Sequence, residues 1–142
     1  MKQNTFTIIA KCKETGFFGA AVASKFPGVG AYSPYVEAEN GVIATQGWVN
    51  PSLAPKGIQL LRDGMTANEV LNKLLFEDPG RELRQVAVMD RYGNSSVYTG
   101  SENDDEKGHL ICDHFCVLGN LLTSLDVLSE MERVFKVTEG NL

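Results

Sequence analysis

The chain has 142 residues, with 13 Lys and Arg against 18 Asp and Glu for a formal net charge of −5, and 43% of its residues are apolar. That size fits one domain spanning residues 1–142, and the charge balance argues against nucleic acid, whose phosphates need a positive partner surface. No run approaches the ~18 uninterrupted apolar residues of a membrane span, so no membrane partner is expected either.

Thr5 to Lys13 alternates in the manner of a strand, with Phe6, Ile8, Ala10 and Cys12 on one side and Thr5, Thr7, Lys11 and Lys13 on the other. Ile9 interrupts the pattern. Lys11 and Lys13 also cut the apolar stretch below the ~7–15 residues of a signal-peptide core, so the protein is expected in the cytoplasm. Its 3 cysteines, Cys12, Cys112 and Cys116, have no disulfide-framework spacing and suit that reducing compartment. Glu14-Thr15-Gly16 is a turn, and Phe17 to Ser24 returns as a second strand, apolar on both faces. Val29 to Asn40 reads as irregular, and Gly41 to Gln46 as a third strand.

Asn50 is placed to cap a helix with Pro51 at its first position, a helix that ends at Gly64. Thr66-Ala67-Asn68-Glu69 has capping-box spacing ahead of a buried stripe of Val70, Leu71, Leu74 and Leu75, and Pro79-Gly80 stops that helix. Gln85 to Asp90 and Ser95 to Thr99 flank Arg91-Tyr92-Gly93-Asn94 as a hairpin, and Ser101 to Lys107 is a solvated acidic loop. His109 to Leu118 reads as a strand or strand pair. A last helix, capped by Thr123 or Ser124, carries Leu125, Leu128, Met131 and Phe135 on one face.

A sheet with one wet face shows polar alternation, but Phe17–Ala23, Val42–Ala44 and Val86–Met89 show little. The expected fold is therefore α+β, with two facing antiparallel sheets covered outside by helices.

Particular blocks carry a family resemblance. Thr5-Phe6-Thr7-Ile8-Ile9-Ala10, Gly19-Ala20-Ala21-Val22-Ala23-Ser24-Lys25-Phe26, Ala44 to Pro51 and Asp78-Pro79-Gly80-Arg81-Glu82 with Arg84-Gln85 resemble the domain of unknown function 1028 family. So do Thr99-Gly100, Gly108-His109 and Gly119-Asn120. That family is regarded as belonging to the Ntn-hydrolase superfamily, so the resemblance implies a four-layer αββα sandwich. The sequence departs from the family pattern at Asn103, Glu106 and Leu118, and it stops at Leu142, ahead of a further family segment. Either the sequence is a fragment, or it is a shortened natural form with an exposed sheet edge for a partner subunit to cover, and a homo-oligomer is expected.

The same resemblance implies an N-terminal nucleophile, whose hydroxyl gives its proton to its own α-amine. Thr5 opens the first strand, so cleavage at Asn4–Thr5 would create that residue, and the plainer reading makes Thr5 only the first residue of a hairpin. Gly47 and Trp48 sit where a strand runs into a helix N-terminus, a place for an oxyanion donor; a tight turn followed by a capped helix, with Trp48 as a core or rim aromatic, is the alternative. Lys25 could lower the Thr5 hydroxyl pKa from the paired strand, or be a solvated charge. Ser24 is a candidate orienting hydroxyl, and Arg81, with Glu82 and Arg84, could pair with a substrate carboxylate. Thr5, Lys25 and Gly47 are thus the catalytic candidates, and Ser24, Trp48, Asn50 and Arg81 the substrate contacts.

His109, Cys112, His114 and Cys116 form a second constellation, in which even spacing would align Cys112, His114 and Cys116 on one strand face. The spacing matches no established zinc motif, so neither a metal nor a cofactor is expected. The leading functional expectation is an amidohydrolase acting on a small amide or peptide. The rival is a non-catalytic binding or interaction module on the same fold.

Overall fold

A computed structural model of the chain describes residues 4–140 and 142. The leader residues 1–3 and Asn141, on which expectations about processing and the chain end fall, lie outside the described residues. The opening hairpin is present as β1 (Thr5–Lys11) and β2 (Phe18–Ser24). The segment after it is less irregular than its Pro and Gly content suggests: a single 3-10 turn at Val29–Ala31 leads into a short strand, β3 (Pro34–Glu37), which pairs with β4 (Gly41–Gly47). Pro34 is tolerated there because β3 is a sheet edge.

Helix α1 (Leu53–Arg62) starts two residues later than the Asn50 cap predicts. The Asn50 side chain instead accepts from Ser52 N–H at 3.2 Å and from Ser52 Oγ at 2.7 Å, closing a turn ahead of the helix. The capping box forms as read, with Thr66 and Glu69 bonded reciprocally at the start of α2 (Ala67–Glu77). The chain continues through a 3-10 turn at Arg81–Leu83 to β5 (Arg84–Asp90), β6 (Ser95–Thr99), β7 (Gly108–Cys112), β8 (Phe115–Asn120) and α3 (Asp126–Val137). The N-cap of α3 is Leu125, one residue past the expected Ser124, whose hydroxyl accepts from the Asp126 N–H at 3.1 Å as the helix begins.

The strands make two antiparallel four-stranded sheets, ordered β2-β1-β8-β7 and β3-β4-β5-β6. Period-2 alternation then sorts the apolar side chains into three clusters. Ile43, Val86 and Val88 pack under α1 and α2 with Ile58, Leu61, Val70 and Leu74. Ile9, Val42, Ala44, Ala87, Met89, Cys116 and Leu118 fill the space between the sheets. Ala10, Phe115 and Val117 face Leu128 of α3, with Met131 and Phe135 beside it. Each large side chain fully buried in these clusters contributes roughly 1.5–3 kcal/mol.

The first strand corrects the reading of its two faces. Thr5, Thr7 and Ile9 are the inward set, at 8%, 0% and 0% exposure, while Phe6 and Ile8 are only half-buried on the outside. A polar row here marks the deeper side because its hydroxyls find partners within the protein. The cysteine reading is corrected too. A turn at Asp113-His114 separates β7 from β8, so Cys112 and Cys116 lie on different strands and face different clusters. Among the described residues no three His, Cys, Asp or Glu side chains could hold a metal ion.

Among the described residues, no helix is long and apolar enough to cross a membrane.

Candidate functional site

At one end of the inter-sheet space a cleft of about 630 Å³ opens past the end of β4. Six strands place polar side chains behind it in a connected set of hydrogen bonds. Thr7 Oγ1 donates to Gln46 Oε1 at 2.5 Å, and Gln46 Nε2 donates to Gln85 Oε1 at 2.8 Å. Asn120 Nδ2 donates to the same Gln85 oxygen at 2.9 Å. The Gln85 amide nitrogen lies within donating distance of the carbonyls of Gly119 at 2.8 Å and Gly108 at 3.1 Å, and of Thr99 Oγ1 at 3.1 Å. Thr99 in turn meets His109 Nδ1 at 2.8 Å, and burial pulls the His109 pKa below its usual value.

Thr5 lies on the cleft wall at the head of β1, paired in register with Ser24 on one side and Asn120 on the other. Its hydroxyl is 2.9 Å from the Ser24 hydroxyl. Asn120 also lines the cleft, with one N–H of Nδ2 given to Gln85. Gly47, also on the wall, has φ +79°, and a Cβ there would come within 2.4 Å of Asn103 Nδ2 and 2.9 Å of the Leu83 carbonyl. Only glycine fits.

Trp48 N–H donates to the Leu83 carbonyl at 3.2 Å, on the β5 side. By strand alternation the Gly47 N–H points the other way, past the end of β3, where no backbone partner meets it among the described residues. The donor thus belongs to a strand end. The expected helix N-terminus is displaced, since Trp48 to Ser52 intervene before α1.

The remaining predicted residues divide. Trp48 lines the cleft and is 63% exposed, a rim aromatic. Asn50 sits behind the wall, where its amide helps hold down the pKa of Asp78. Lys25 is exposed one residue past the end of β2 and does not line the cleft. Arg81 is also outside it, exposed on its 3-10 turn with Glu82 at 3.7 Å.

Arg84 occupies the cleft wall in place of Arg81. It donates to the buried Asp78 carboxylate from Nε at 3.0 Å and to the Trp48 carbonyl from Nη1. Burial would raise the Asp78 pKa, but the Arg84 guanidinium and the Gly80 N–H together hold it below the usual carboxylate range. Sequence reasoning missed Gln46, Gln85 and Asn120, whose signal is an amide at each of three strand positions meant to be buried. It also missed the buried hydroxyls of Ser33 and Thr45 beside the cleft, which have no hydrogen-bond partner.

With these features in place, the described residues define a mixed α/β protein of two antiparallel sheets and three helices, with a polar cleft between the sheet ends. Residues 5–142 match the family model described as "Family of unknown function (DUF1028)", and the chain belongs to that family. It is similar over 96% of its length to the crystal structure of protein SPO2555 from Silicibacter pomeroyi, also of DUF1028, with 34% identity and a TM-score of 0.93. The match covers 61% of that protein's chain. No curated protein matches the sequence.

Proposed function

We propose that the chain is an Ntn-hydrolase-like αββα sandwich that cleaves a small amide or peptide bond with Thr5 as nucleophile, after removal of the residues before it. The observation that carries this reading is the Thr5 hydroxyl at the head of β1, on the wall of the polar cleft and 2.9 Å from Ser24. Once Thr5 is N-terminal, its α-amine has a pKa near ~7.7–8.0 and takes the hydroxyl proton as Oγ1 attacks the amide carbonyl carbon. The Gly47 N–H is oriented to stabilise the oxygen that becomes negative. The amine returns the proton to the leaving nitrogen as the C–N bond breaks, and water then cleaves the acyl ester. Ser24 orients the hydroxyl, and Asn120 offers its carbonyl oxygen to a nearby N–H.

Unpartnered buried hydroxyls at Ser33 and Thr45 support a site kept for a ligand over one optimised for stability. Free cysteines at Cys12, Cys112 and Cys116 support a cytoplasmic setting. The uncharged edge strand β2 supports self-association. Mass spectrometry of the purified protein tests the mechanism: a mature N-terminus at Thr5 is expected, and an intact leader removes it.

One observation favours the alternative of a binding module on the same fold. The Asn4 carbonyl accepts from Lys25 N–H at 3.3 Å, extending the hairpin ladder past Thr5 and tying the leader to β2. A chain that keeps this bond has no free amine at Thr5, and its cleft serves recognition alone.

A further inference from the structure

We infer that the cleft takes a ligand carrying a positively charged amino group beside an apolar or aromatic body; under the hydrolase reading, on which this rests, the substrate is an amine-bearing amide. Three exposed aromatic side chains line the cleft: Trp48 at 63%, Tyr32 at 46% and Phe26 at 42% exposure. Large rings left exposed together mark a recognition surface, and their faces are electron-rich, favouring a cation. Phe26 and Tyr32 meet edge to face, with ring centroids 5.9 Å apart, which fixes their relative orientation.

The charges on the wall lead the same way. Arg84 is its one cation among the described residues, and that guanidinium is already engaged by both Asp78 oxygens and the Trp48 carbonyl. Asp104 is the one carboxylate on the wall and makes no ion pair among the described residues. The charge left open to a ligand is therefore negative. An anion would meet the Asp104 carboxylate and aromatic faces, and among the described residues no cation other than an amine freed at Thr5 would stand uncommitted in compensation. The formal net charge of −5 adds long-range attraction for a cation.

Trp48 is the only tryptophan in the sequence, so its fluorescence reports occupancy of the cleft directly. The probes are benzylammonium, benzyl alcohol and benzoate, of similar size and different charge, titrated at low salt and about pH 8.5, where an amine freed at Thr5 is mostly neutral. Benzylammonium is expected to change the emission saturably and to bind about 5-fold more tightly than benzyl alcohol, with benzoate weakest. Asp104→Asn should shrink that preference to within about twofold, and Asp104→Glu should keep it. Benzoate binding as tightly as benzylammonium, a preference that survives Asp104→Asn, or no response to any probe overturns the inference. The probes hold no amide bond and need no freed N-terminus. An unprocessed chain that prefers benzylammonium thus refutes the hydrolase alone, and a processed chain that prefers benzoate refutes this inference alone.

Discussion

Two residues along each of four strands separate a dry region between the sheets from a polar one. On the dry side stand Ile9, Ala44, Ala87 and Leu118; on the polar side, at the next position of the same face, stand Thr7, Gln46, Gln85 and Asn120. Both regions are equally closed to water, with all eight side chains at 2% exposure or less. In the dry region burial itself stabilises, and its dryness is visible in Cys116, whose thiol burial pushes up to about 12. In the polar region each amide returns only about 1 kcal/mol net from its hydrogen bonds, and a broken link leaves its partners stranded. Stability is concentrated at the dry end, and the cleft opens at the other.

Breaking Gln85 attacks the polar region at its centre. Gln85→Leu strands the Gln46 and Asn120 amides and the Gly108 and Gly119 carbonyls, and should destabilise by about 4 kcal/mol in urea unfolding. Leu118→Ala, at the dry end, should lose about 3 kcal/mol by transfer and cavity terms while leaving Trp48 fluorescence unchanged. If Gln85→Leu proves the milder of the two, the polar region is not the closed network described. Gly47→Ala adds a Cβ against Asn103 at positive φ and should cost about 2 kcal/mol, with a shift in Trp48 emission that Leu118→Ala lacks.

The smallest effect lies in pH. His109 has a lowered pKa in the fold, so the unfolded chain binds the proton first. The stability this confers is fully present above the ordinary histidine value of about 6.5 and is lost as pH falls through it toward the folded value. Stability should therefore decline from pH 7 to pH 5, and His109→Gln should flatten that slope in denaturant titrations at each pH.

What the sequence made legible follows from the physics of each signal. The opening hairpin, the Thr66–Glu69 capping box and the Arg91–Asn94 turn are local, and local rules found them. Asn50 was misplaced as a cap because the same side chain closes a turn equally well. Cys112 and Cys116 were aligned by parity, which a reversal at His114, with φ +63°, destroys. The polar network was hidden for a deeper reason. Thr5 and Thr7 alternate with apolar residues just as a solvent-facing row does, and their partners Asn120 and Gln46 lie far along the chain. Thr5 could be named from the family resemblance, but Arg84 could not be separated from Arg81 until the turn at Arg81–Leu83 decided which guanidinium meets Asp78.

Gln85 also bears on how the sheets find their alignment. Apolar neighbours such as Val86, Ala87 and Val88 fit either side of a strand with modest loss, so a slide of β5 by one position is weakly opposed by greasy packing alone. An amide that must meet donors from β4 and β8 and acceptors from β6 and β8 accepts a single setting. It works as a key cut for one lock, rejecting near-miss pairings during assembly that the rest of the interior would tolerate.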